Sequence, residues 1–95
     1  MKILNKKIIA AYAEAMLDLL EHQPTMENTR NIRETLYWLK NDWVDESADD
    51  YAQVGVFLDR LFGIAERFVD EDTYLDYDAD EFVYGLIELV RLGKR

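Results

Sequence analysis

Three features of the sequence predict an all-α fold, specifically a compact antiparallel four-helix bundle. Apolar residues recur at spacings of three and four, and no stretch alternates long enough for a strand. Helix-starting or helix-stopping residues stand at Pro24–Thr25, Ser47, Asp78 and Gly93, dividing the chain into four helical lengths with short connections. The 95 residues also suit one domain, residues 1–95, with no repeat, linker or low-complexity tract.

The first helix is expected over about residues 3–21. At 100° per residue, Leu4, Ile8, Ile9, Ala11, Tyr12 and Ala15, with Met16, Leu19 and Leu20, sweep an arc of roughly 200°. Lys7, Glu14, Asp18 and Glu21 occupy the remaining wet side. So wide an arc predicts burial by two or more neighbours.

Pro24 stops this helix, and Thr25 opens the second, over about 25–41. Its stripe is Ile32, Leu36, Leu39 and Trp43, flanked by Tyr37 and Trp38. A capping box of Ser47 and Asp50 opens the third, about 48–69. There Tyr51, Val54, Leu58, Leu61, Ala65 and Phe68 repeat at three and four, a heptad seam suited to a bundle. Gly55 and Gly63, eight apart and on one side, are expected to permit close packing.

The fourth helix, about 79–92, is expected to start with a capping box of Asp78 and Glu81. It buries Phe82, Leu86 and Leu89 with Val83, Ile87 and Val90, and stops at Gly93. Lys94 and Arg95 complement the negative end of its dipole.

Composition excludes much chemistry. With no cysteine there is no disulfide, thiolate nucleophile or cysteine-based zinc site, and a cytoplasmic location is expected. The start MKILNKKIIAAYAEAM imitates a secretion signal. Its uncharged run, Ile8 to Ala13, is shorter than the 7 to 15 residues such a signal needs. No run approaches the roughly 20 apolar residues of a membrane span.

The single histidine, His22, and the single serine, Ser47, fall at distant helix ends, roughly 30 Å apart at 1.5 Å per residue, so they form no nucleophilic dyad. No Glu-x-x-His pair offers a di-iron site. No enzyme activity, cofactor or metal is expected. Asp76, Asp78 and Asp80 imitate the first ligands of an EF-hand loop, but Glu81 replaces the turn glycine and Ile87 the bidentate glutamate.

Charge is the informative quantity. The formal net charge is −9. Residues 1–40 hold six Lys/Arg against five Asp/Glu, net +1, whereas residues 41–95 hold five against fifteen, net −10. Direct nucleic-acid or anionic-membrane binding would be repelled.

The acids concentrate in VDEDTYLDYDADEF, residues 69–82, with seven carboxylates and two tyrosines in fourteen positions. An up-down-up-down bundle brings this connection beside the turn between the first two helices. One end of the molecule then carries nine acids against Arg30 and Arg67, net −7.

Asp78, Asp80 and Glu81 suit a helix N-terminus. Asp70, Glu71 and Asp72 lie where the dipole disfavours anions, beside Tyr74, Leu75 and Tyr77. Asp76 completes the set. The expectation is a non-enzymatic acidic binding protein, of inhibitor or immunity type by analogy of size and charge. It would dock Asp70, Glu71, Asp72, Tyr74, Asp76, Tyr77, Asp78, Asp80 and Glu81 onto a basic protein surface; a mimic of DNA, with carboxylates in place of phosphates, is a special case. Two readings compete with it: a solvated turn, and a structural or adaptor subunit. The subunit would self-associate as a homodimer or pack on a helical partner through apolar faces, with Trp38 and Trp43 at the contact.

Overall fold

The computed structural model describes residues 4–43 and 49–94, the side chains of 49–52 excepted. Four helices account for the described chain: α1 Lys6–His22, α2 Met26–Asp42, α3 Asp49–Asp70 and α4 Asp80–Gly93. No strand occurs among the described residues. The Cα radius of gyration is 12.6 Å, against about 12 Å expected for a single compact unit of this length.

Local chemistry sets the helix boundaries. Asn5 caps α1, its Oδ1 accepting from the Ile8 amide at 2.9 Å, so the helix begins two to three residues after the apolar pattern does. Thr25 caps α2 as its sequence position implies, accepting from Asn28 N at 3.1 Å. The Asn28 amide group donates to the Gln23 carbonyl at 2.8 Å, closing the connection around Pro24. The cap expected of Ser47 lies outside the described residues.

Helix α3 ends in a Schellman arrangement. The Thr73 amide donates to Phe68 O at 2.9 Å and the Asp72 amide to Val69 O at 3.0 Å, with Asp72 left-handed at φ 54°.

Helix α4 stops at Gly93 as expected, but its start differs from the expectation. Asp78 and Glu81 form no capping box: Ala79 holds the cap position without a side-chain bond, and the helix begins at Asp80. Asp76 displaces the start, because its Oδ1 accepts from the Asp78 amide at 2.9 Å and its carbonyl from the Ala79 amide at 3.1 Å, making an Asx turn one step earlier. Nor does Gly93 stop the helix by left-handed geometry, since no described glycine has positive φ. It is instead a contact residue: a Cβ there would collide with Ala10 Cβ and stand 2.8 Å from the Lys6 carbonyl oxygen.

Packing runs in a chain, α1 on α4, α4 on α3 and α3 on α2, while α1 and α2 barely touch. Of the α3 heptad seam, Val54, Leu58, Leu61 and Ala65 are buried and Phe68 is partly buried, while the Tyr51 side chain lies outside the described residues; the α2 stripe (Ile32, Leu36, Leu39 and Trp43) is buried as expected. Trp43 thus belongs to the core and has no part in an outer face. Phe82, Val83, Leu86, Leu89 and Leu92 complete the interior from α4, and Ile87, expected there, is exposed.

Helix α1 buries a narrower face than its sequence implies. Ile9, Ala10, Ala13, Met16 and Leu20 are covered, whereas Ile8, Ala11, Tyr12 and Ala15 face outward. The sparse α1–α2 contact is the reason: one of the two neighbours that the wide arc anticipates stands largely away.

Gly63 also departs from the close-packing role, since nothing lies within 4 Å of a Cβ built on it. The close approach belongs to Gly85, where a Cβ would stand 2.8 Å from Leu61 Cδ2.

Candidate functional site

The acidic connection between α3 and α4 is held from below by one apolar and one polar tie. Leu75 is buried in the core at 1 % exposure, in the middle of an otherwise outward-facing segment. Its amide donates to Thr29 Oγ1 at 2.8 Å, and that hydroxyl donates in turn to the Thr25 carbonyl at 2.8 Å. Thr29 is itself buried, so its bond to the Leu75 amide pairs two polar groups shielded from water. This tie across 46 residues fixes the connection against the first turn of α2, so the two loops share one end of the bundle.

Around that tie the charged groups point into solvent. Asp70, Glu71, Asp72, Asp78, Asp80 and Glu81 are exposed, and Asp76 is half-buried by its turn-forming role. Tyr74 and Tyr77 are 47 % and 46 % exposed on either side of the buried Leu75. All nine residues singled out from the sequence therefore stand in one connection and the helix start after it, eight of them exposed. Among the described residues, the one ion pair of this pole joins Arg30 Nη2 to Asp72 Oδ1 at 4.0 Å, largely in solvent. A pair so exposed contributes little and leaves the pole negative. Arg67, the other nearby cation, lies over the Phe68 ring at 5.9 Å.

The dipoles act in opposite senses across the connection. Asp80 and Glu81 occupy the first turn of α4, where each is stabilised by about 0.3 to 1 kcal/mol. Asp70 closes α3 and Glu71 follows it, at the end where the dipole opposes a negative charge. Asp72 adds a backbone cost, since left-handed geometry disfavours a side chain by about 1 to 2 kcal/mol, less for Asp than for most residues.

Two residues extend the surface beyond what the sequence suggested. Tyr84 is 57 % and Ile87 40 % exposed, and with Asp80 they line the outer side of α4. The wheel carries the signal for Tyr84, which lies about 150° from the Phe82, Leu86 and Leu89 stripe. Ile87 gives no such signal, because it sits beside Val83 at the edge of the buried arc. Among the described residues, no group of three His, Asp or Glu side chains is placed to hold a metal ion.

Comparison of the chain with protein-family models, with curated proteins and with solved structures finds no match in any of the three.

Proposed function

We propose that this chain is a non-enzymatic binding protein that docks its acidic pole onto a basic surface of a partner protein, in the manner of a small inhibitor or immunity protein. The observation that supports this most is the anchored loop. Tyr74 and Tyr77 stand exposed among carboxylates, on a backbone held in place by Leu75 and Thr29. A preformed loop loses little entropy on binding, and tyrosines with a wet hydroxyl are effective contact anchors. A solvated turn needs neither the exposed aromatics nor carboxylates at an unfavourable helix end.

The pole steers encounter and the tyrosines, with Tyr84 and Ile87 beside them, supply desolvated contact. A basic nucleic-acid-binding surface is one such target, the carboxylates taking the place of phosphates. No described helix is long and apolar enough to cross a membrane, and a cysteine-free chain suits the cytoplasm.

The test replaces Asp70, Asp72, Asp76 and Asp80 together with asparagine. Asparagine keeps the Oδ1 acceptor that Asp76 uses and tolerates the backbone of Asp72, so the far-UV helical signal should be unchanged. Wild type should capture a basic protein from native lysate and release it at moderate salt, and the variant should capture none. Equal capture of the same partners by both proteins would sink the proposal.

A further inference from the structure

We propose that the open seam between α1 and α2 is a self-association surface, through which two copies of the chain form a weak two-fold homodimer. In a closed four-helix bundle each helix packs on two neighbours. Here three of the four seams are packed and the fourth stands open, although a three-residue connection joins its helices.

What lines the gap is unusual for this chain. From α1 come Tyr12, Ala15 and Leu19, with Leu4 just before the helix, and the exposed Ile8 and Ala11 share that side within about 100° of the wheel. From α2 come Asn31, Thr35 and Trp38. None of these nine is charged, in a chain whose residues are 33 % charged. The one acid lining the groove is Asp42, at its far end. Tyr12 is 44 % and Trp38 53 % exposed, and the Trp38 Nε1 donates to Glu34 Oε1 at 3.3 Å while its ring meets Tyr37 edge-on at 5.9 Å. Two half-exposed aromatics in a patch free of charge, rimmed by Lys7, Asp18 and Glu34, match the centre and rim of a protein interface.

Charge and area both select a second copy as the occupant. Two chains of net charge −9 repel over most of their surfaces. α1 and α2 together carry five Lys/Arg against six Asp/Glu, net −1, so this is the side on which like-charged copies can meet. A basic partner of the kind proposed for the pole would gain nothing from so neutral a surface. Each helix has 17 residues, about 25 Å at 1.5 Å per residue, and two helices abreast are about 20 Å wide, a face on the order of 500 Å². That approaches the roughly 800 Å² per partner of a standard interface and fits a weak dimer. Two-fold symmetry then sets each Trp38 against the gap of the other copy, so that both gaps fill at once.

The experiment is sedimentation equilibrium of the full chain from about 10 µM to about 1 mM, the range in which an interface of this size dissociates. The mass should rise from 11.2 kDa toward twice that value. Added salt should hold or strengthen the dimer by screening self-repulsion, opposite to its effect on complexes of the acidic pole, so the two readings fail independently. Ala15→Glu places a charge at an exposed seam position and should raise the dissociation constant at least about tenfold with helicity unchanged. Amide shifts on dilution of the wild-type protein should fall on α1 and α2, which gives a reading that needs no variant. A mass fixed at 11.2 kDa throughout, including the case in which the seam takes a helix of another protein, would overturn the proposal. So would dissociation by salt, or dilution shifts confined to the acidic pole.

Discussion

Gly63 and Gly93 show how little the residue type alone says about its use. Both sit in helices, and each lowers helix propensity by up to about 1 kcal/mol relative to alanine. Gly63 faces open space, so Gly63→Ala should stabilise the protein by about 0.5 to 1 kcal/mol. Gly93 lies against Ala10 and the Lys6 backbone, so Gly93→Ala should destabilise it, by about 1 to 3 kcal/mol if α1 and α4 must separate to admit the methyl. Urea denaturation of the two variants checks both signs. The sequence could not distinguish them, because the deciding neighbours lie on another helix. Asp72 presents the converse case, a side chain where a glycine would fit better. Asp72→Gly should raise stability by about 1 kcal/mol in the same measurement, since the Arg30 pair it loses is too exposed to offset the relief.

Among elements, legibility followed how completely each helix is surrounded. The stripes of α2 and α3 read correctly because each repeats at three and four and packs against the other along its length. Truncating the seam at Leu58 or Leu61, both fully buried, should cost about 2 to 5 kcal/mol. Thermal melts of Leu58→Ala and Leu61→Ala should show it as a large fall in midpoint. Helix α1 read less well. Its apolar arc is real, but half of it faces a gap that hydrophobicity alone cannot announce. The start of α4 was displaced by Asp76. Where several acids stand in a row, spacing cannot tell which of them caps and which turns.

At the scale of the molecule, charge is unevenly distributed, and exposed aromatics occur on both the charged and the neutral sides. The connection of α3 to α4 carries the negative pole, and the neutral side between α1 and α2 carries Tyr12 and Trp38. The acidic pole was legible because composition and topology suffice to locate it. The open seam was not, because it depends on an interhelical distance. With seven carboxylates in residues 69–82 and a net charge of −9, screening should favour the folded state. The thermal midpoint should therefore rise from low to physiological salt, a trend measurable by circular dichroism. A midpoint that falls would mean that attractive pairs dominate after all.

The hydroxyl of Thr29 gives the pole one further property. The Leu75 amide that it holds lies under the acidic loop yet bonds to α2, 46 residues earlier in the chain. Fraying of the loop tip leaves that bond intact, because Leu75 is itself part of the core. Exchange of this amide with solvent deuterium should therefore be slower than that of its exposed neighbours in the connection, which hydrogen exchange read residue by residue checks. An exposed, charged surface is thus fastened at a buried point.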